Sequence, residues 1–309
     1  MTPLRIHASS DTSLERAAAE VAAALADRRA LAGAPLLLRG FALGGKHDLP
    51  RLLRRLDLEP MSYVGGNSPR TQLGGNVYTS TEFPPSADIT LHQELSYERE
   101  VPDLLFFLCG RPAREGGATP LCDARELLES LPAGLVREFE ERGLRYVQRL
   151  PADAGLGKSW RETFETDDRD TCAKLLDGRD VEHSWEQGVL VLTREREATR
   201  RHPRTGEKIW FNQADQWHPS SVGSPRAREV LEKMYGGGLP HDVTYADGAP
   251  VPEEFIAEIS RTSRSIAHAE PWQAGDLLVL DNQATMHGRD SYSGERSIYV
   301  AMTAATMSP

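Results

Sequence analysis

What most constrains this chain is a succession of short strand-like runs that no helix follows in regular alternation. NVYTS from Asn76, ITLHQE from Ile89 and LLFFLCG from Leu104 come in quick order, separated by turn-rich segments. After a helical interval come GLRYVQRL, VEHSW, GVLVLTR and KIWFNQA, and DLLVLDN and RSIYVAMT close the series. A doubly wound sheet or a TIM barrel needs a helix after each strand, so the pattern argues against both. The pattern predicts a mixed α and β chain with a mainly β core, a double-sheet jelly roll with flanking helices.

The helices stand at the margins of this core. Thr12 with Glu15 forms a capping-box pattern, and Leu14, Ala18, Val21 and Leu25 continue at helical spacing up to Gly33. Pro35 to Phe41 (PLLLRGF) reads as a buried strand and Lys46 to Leu56 as a second helix. Asp123 to Arg142 is helical with a break at Pro132. Ser224 to Tyr235 and Pro252 to His268 read as further helices, and HPRTGEK as a turn between strands. No linker or repeat divides the chain. Residues 1–309 are expected to form one domain, with helical decoration over about 1–60 and an insert or lid over about 150–190.

Composition narrows the partners. No stretch approaches the roughly 20 apolar residues that cross a bilayer, and the start lacks a basic segment followed by an apolar one. A cytoplasmic protein without membrane association is expected. Three cysteines, an odd count without CxxC spacing, indicate neither a disulfide framework nor a structural zinc site. A formal charge of -10 repels a phosphate backbone, which argues against nucleic acid. From Arg194 to Lys208, however, cations outnumber anions. That stretch reads as a local basic patch, either a solubilising hairpin or a docking face for an acidic carrier protein.

His92-Gln93-Glu94 places an imidazole and a carboxylate two residues apart in an extended run, so both project from one face of a strand. Nine His and 46 acidic residues give about one such match by chance, and His268-Ala269-Glu270 is a second. The second lies at the foot of a predicted helix, where residues two apart do not face each other, and Glu270 is expected to be solvated. A mononuclear iron site with a 2-His-1-carboxylate face needs a distant second imidazole. His287, after an apolar strand and beside Gly288, suits a strand terminus facing a cavity. A packed histidine is the plain alternative.

These runs together resemble a known family. YVGGNSPR, VYTSTEFPP, ITLHQELSY, LLFFLCG and GGATPLCDAREL between Tyr63 and Leu127, with GDLLVLDN, HGR and SGERSIYVAM near the end, are similar to the Fe(II)/2-oxoglutarate dioxygenases of the taurine dioxygenase superfamily. Within it, HPRTGEKIWFNQA and the HxE form resemble the branch exemplified by the syringomycin-pathway aspartyl hydroxylase, and clavaminate synthase shares the HxE variant. The likeness covers about Leu36 to Met302. It implies a distorted double-stranded β-helix, with Fe(II) as cofactor and 2-oxoglutarate and O2 as cosubstrates.

By this resemblance His92, Glu94 and His287 are the iron ligands, Thr119 binds a 2-oxoglutarate carboxylate and Arg296 holds its other end. A planar guanidinium can grip a carboxylate bidentately, which Lys cannot imitate. Arg70, Asn212, Gln213 and Arg289 are candidate substrate contacts, each with a plain structural alternative. Most relatives carry Asp where Glu94 stands, and halogenating relatives leave that position without a carboxylate. Glu94 therefore points to oxygen insertion.

The implied reaction hydroxylates an unactivated carbon of an amino acid, or of an amino-acid-derived and carrier-bound substrate, in natural-product biosynthesis, with 2-oxoglutarate and O2 converted to succinate and CO2. Desaturation or cyclisation at the same iron site is the near alternative. A non-catalytic ligand-binding β-sandwich and a zinc hydrolase are the alternatives from other classes.

Overall fold

A computed structural model describes residues 1–62, 71–80, 83–153, 158–177 and 179–304. At the N-terminus β1 (Leu4–His7) leads through α1 (Leu14–Ala26) and α2 (Arg28–Gly33) to β2 (Leu36–Arg39), which pairs parallel to β1, and α3 (Asp48–Arg55) follows. The single helix expected up to Gly33 is two, because Asp27 ends α1 and caps α2 by accepting the Ala30 N–H. Ser13, not Thr12, is the N-cap of α1. Residues 1–60 are also more than helical decoration, since β1 and β2 extend the largest sheet.

β3 (Gln72–Gly74) and β4 (Val77–Thr79) pair antiparallel, and β5 (Ile89–His92) and β6 (Leu104–Arg111) fall on the expected runs. The short β7 (Glu115–Gly116) and β8 (Leu121–Asp123) precede α4 (Ala124–Ser130) and α5 (Ala133–Arg142). Pro132 divides these two helices, as expected of a residue without an N–H to donate.

β9 (Leu144–Leu150) is followed by α6 (Trp160–Phe164), α7 (Arg169–Leu176), β10 (Glu182–Glu186) and β11 (Val189–Arg196). β12 (Thr199–Arg201) and β13 (Lys208–Trp210) form the hairpin around HPRTGEK. Then come α8 (Ala214–Trp217), α9 (Pro225–Met234) and β14 (His241–Tyr245). β10-β11-β9-β14 is a separate antiparallel sheet, and Trp160, Phe164 and Cys172 fill a small core of their own against Leu190 and Leu192.

The last segment is α10 (Glu253–Ile266), β15 (Leu277–Asp281), β16 (Thr285–Arg289), β17 (Tyr292–Ser293) and β18 (Ser297–Thr303). β16 lies outside the expected strands. The largest sheet runs β1-β2-β15-β6-β18-β4-β3, and a smaller one runs β5-β16-β8.

The uninterrupted apolar runs LLFFLC and LLVL are explained by burial on both faces. Leu104, Phe106, Leu108, Leu277 and Val279 face a core closed by Ala17, Val21, Leu31, Leu49 and Leu52 of the N-terminal helices. Their alternates Leu105, Phe107, Leu278 and Leu280 share the second core with Leu91, Leu121 and Met286 of the small sheet. Each such Leu or Phe contributes ~1.5–3 kcal/mol on burial, so this double-faced sheet is a rigid platform.

The expected basic patch is dispersed. Arg194 is buried and paired with Glu98, Arg196 pairs with Asp180, Arg204 with Asp103 and Lys208 with Glu140. Arg200 lies over the Phe211 ring, and burial lowers the pKa of its guanidinium. Four cations of the stretch are therefore paired within the fold. The three cysteines are free and buried. No helix among the described residues is long and apolar enough to cross a membrane.

Candidate metal centre and active site

β16 pairs with β5 in a register that sets His287 directly opposite His92. Residues facing each other on one side of an antiparallel pair converge, and the two imidazole centroids lie 4.5 Å apart. Gly288 permits this closeness, because a Cβ there would stand 2.6 Å from the Ile89 carbonyl oxygen. His287 is thus inside a strand, not at the terminus of the preceding one.

Glu94 differs from its expected setting. The strand ends at His92, and Leu95 takes a left-handed backbone with φ 56°. Glu94 sits in the turn between them, and the side chain of Asn282 replaces the strand ladder. Asn282 Oδ1 accepts the Glu94 N–H at 2.8 Å, and Nδ2 donates to the carbonyls of Glu94 at 3.0 Å and Pro102 at 2.9 Å. The Asp281 carboxylate shapes the turn that carries Asn282, accepting N–H groups of Gln283 and Ala284. In the sequence Asn282 is only a polar residue ending an apolar strand, so nothing there announced this role.

The Glu94 Oε2 atom lies 3.8 Å from Nε2 of both His92 and His287. One ligand atom from each of the three falls within 4.8 Å of the others. N and O donors sit about 2.0–2.2 Å from a bound transition metal, so sub-ångström shifts would close the set on an ion. His92 Nδ1 lies 2.8 Å from the Thr90 carbonyl, which can only accept. The proton is therefore on Nδ1, and the Nε2 lone pair is left for a metal.

A cavity opens between the two sheets, lined by His92, His287, Thr119 and Arg296 with Phe107 and Ile298. Thr119 Oγ accepts the Trp272 indole N–H at 3.1 Å, which leaves its own proton to donate. Arg296 donates to the Gly117 carbonyl and to Ser80 Oγ and stands over the Tyr292 ring. No carboxylate among the described residues pairs with it. Burial, with the neighbouring Arg289 charge, pushes its pKa down to about 10. A buried cation without an anion, facing a cavity, is a receptor for an anionic ligand. Gly117 (φ +70°) allows its approach, since a Cβ there would crowd Arg296 at 3.1 Å.

The remaining candidates are engaged with the backbone or lie outside the described residues. Arg289 lines the cavity but donates to the carbonyls of Phe83, Pro84 and Ala87, so it braces that loop. Asn212 is engaged with the backbone of Ala198 and Ala214, and Gln213 with the carbonyl of Gln93. Arg70 lies outside the described residues. Glu270 of the second HxE-like triplet is not simply solvated but pairs with Arg5 and Arg39.

The model of the Taurine catabolism dioxygenase TauD, TfdA family matches residues 4–302. The chain belongs to that family. It is a dioxygenase that uses Fe(II), 2-oxoglutarate and O2. Among curated relatives, the Dapdiamide synthesis protein DdaC of Enterobacter agglomerans is 31% identical over 268 residues, spanning 86% of this chain and 81% of that protein. The Clavaminate synthase-like protein At3g21360 of Arabidopsis thaliana is 29% identical over 276 residues, spanning 86% and 80%. Among solved structures, PvcB of Pseudomonas aeruginosa superposes with a TM-score of 0.58 at 17% identity, covering 98% of this chain and 86% of that one. Membership of this family excludes the non-catalytic sandwich.

Proposed function

We propose that His92, Glu94 and His287 hold the iron, that Thr119 and Arg296 hold 2-oxoglutarate, and that the enzyme hydroxylates an amino acid or amino-acid-derived small molecule in natural-product biosynthesis. Residues 1–309 act as one catalytic domain built on a distorted double-stranded β-helix. The observation that carries this reading is the pair of facing histidines, with Glu94 within 3.8 Å of both, in a cavity that also holds an anionless Arg296.

Two imidazoles and one carboxylate suit a non-haem iron site with open positions. Iron bound there, with its cosubstrate, supplies oxygen activation coupled to decarboxylation of 2-oxoglutarate. The chain supplies the rest. The Thr90 carbonyl fixes the His92 tautomer, and Asn282 fixes the Glu94 main chain. Arg296 and Thr119 orient the dicarboxylate, and Phe107, Ile298 and Val300 make the wall that excludes water. Glu94 fills the carboxylate position with a carboxylate, which favours oxygen insertion over halogenation.

The names of two similar proteins support the biosynthetic setting. One is a Dapdiamide synthesis protein, and PvcB is an Fe, alpha-ketoglutarate dependent oxygenase from an isonitrile synthetic pathway. The test is anaerobic addition of Fe(II) and 2-oxoglutarate, which should give a visible charge-transfer band that His92→Ala loses. Amino acids, free and carrier-loaded, are then screened for succinate release together with a mass gain of one oxygen. Absence of the band, or metal content unchanged in His92→Ala, would end the proposal.

A further inference from the structure

HPRTGEK, the turn between β12 and β13, reaches the turn that carries Asn282. His202 is 2% exposed, and its Nδ1 accepts the N–H groups of Arg204 at 3.3 Å and Thr205 at 3.2 Å. A nitrogen that accepts carries no proton, so the ring proton is on Nε2, which donates to Asp281 Oδ1 at 3.2 Å. Arg204 donates to the Asp103 carboxylate at 2.9 Å. Two side chains of one hairpin thus hold two segments that are distant in the chain.

Both segments converge on Asn282. The Asp281 oxygen that takes the His202 proton also accepts the N–H groups of Gln283 at 2.9 Å and Ala284 at 3.2 Å, and these bonds shape the turn. The Asp103 carbonyl accepts the Asn282 N–H at 3.0 Å. Asn282 in turn holds the main chain of Glu94. Asp281 is fully buried, and among the described residues His202 is the only side chain that hydrogen-bonds its carboxylate. Arg28 stands 3.7 Å from the other oxygen. Without the imidazole proton this carboxylate would lose a donor that water cannot replace. It would relieve the loss by turning towards Arg28 and away from the Gln283 and Ala284 N–H groups, which loosens the turn.

We propose that His202 is a positioning residue for the iron ligand Glu94, acting through Asp281 and Asn282. The proposal rests on the reading of residues 92, 94 and 287 as metal ligands. His92 and His287 belong to β5 and β16, so the strand ladder holds them, whereas Glu94 lies beyond the end of β5 and depends on Asn282. A loosened turn therefore displaces the carboxylate and leaves the imidazoles in place. The HPRTGEK motif gains a part in the metal centre in this way, although none of its residues lines the cavity. Groups that orient a metal ligand without touching the metal commonly matter to affinity.

The test compares two variants of the full chain by anaerobic titration with Fe(II). His202→Asn keeps an acceptor where Nδ1 stands but loses the donor to Asp281, and His202→Gln keeps an N–H where Nε2 stands but loses that acceptor. His202→Asn is expected to bind Fe(II) about 10-fold or more weakly than the wild type, with His202→Gln within about threefold of it. A residue that only stabilised the hairpin would give the reverse order, because the Arg204 and Thr205 amides need the acceptor. In an Asn282→Ala background, His202→Asn should change Fe(II) affinity by less than about twofold, since its path is already cut. Equal affinities for the two variants, the reverse order, or an undiminished effect in the Asn282→Ala background would each overturn the proposal. A second measurement needs no variant and stands even if His202→Asn fails to fold. By reciprocity, Zn(II) bound to the wild type should slow hydrogen exchange at the Arg204 and Thr205 amides by about threefold or more, and unchanged exchange would overturn the proposal. A wild type that binds Fe(II) but gives no charge-transfer band with 2-oxoglutarate would instead remove the oxygenase reading and leave these comparisons standing.

Discussion

Asn282 holds Glu94 by both polar groups of its main chain, taking the N–H at 2.8 Å and giving an N–H to the carbonyl at 3.0 Å. A neighbouring strand would make the same two bonds, but the strand has already ended at His92. One turn therefore aims the carboxylate, while β16, which begins three residues further on, delivers His287.

Asn282→Ala should weaken Fe(II) binding by about 10–100-fold, the usual effect of losing a group that orients a ligand. Titration with Fe(II) or Co(II) under argon measures it, alongside the melting temperature of the metal-free protein. Metal affinity equal to that of the wild type would show that Glu94 needs no such support.

Removing a ligand should cost more than removing its support. His287→Ala and Glu94→Ala are each expected to abolish substrate-coupled turnover. Their far-ultraviolet circular dichroism should remain that of the wild type, because neither side chain carries the core. Full iron occupancy in purified His287→Ala would place the metal elsewhere.

Arg296 is expected to be a liability until its ligand arrives. Arg296→Leu removes a buried cation without an anion, so the metal-free protein should be as stable as the wild type or more so. The thermal stabilisation that 2-oxoglutarate gives should disappear. Arg296→Lys keeps a charge but not the planar fork, and its KM for 2-oxoglutarate should rise by roughly 10-fold or more. An unchanged KM in both variants would free Arg296 from this role.

His241 gives the fold an acid-sensitive point. Burial, then the nearby Arg194, pushes its pKa down to about 4, against an ordinary 6.5. Between those values the unfolded chain binds the proton and the folded chain does not, so stability is complete above about pH 6.5 and is lost as pH falls towards 4. His241→Gln should flatten that part of the pH profile in denaturant unfolding. A slope identical to that of the wild type would assign the acid lability to other groups.

Much of the site was legible because its chemistry needs particular side chains in a particular order. His92, Glu94 and His287 stand together as expected, and Thr119 and Arg296 line the same cavity as the two histidines. The second triplet at His268 was separable from the first because helix and strand present alternate residues differently. Arg289, Asn212 and Gln213 were read by type alone, and type does not reveal which backbone carbonyl lies within reach. The basic stretch forms a hairpin, as its turn residues suggested, but its ion-pair partners Glu98, Asp103, Glu140 and Asp180 are scattered through the sequence and were not legible there.

The sequence by itself determined the β-rich core, its apolar strands and the residues able to bind a metal, because periodicity and donor chemistry are local properties. Only the tertiary structure decided that β16 is a strand, that its register sets His287 against His92 and that Asn282 braces Glu94. Those are relations between segments distant in the chain. Which buried group finds a partner depends on how sheets and turns close around it, and no local pattern encodes that.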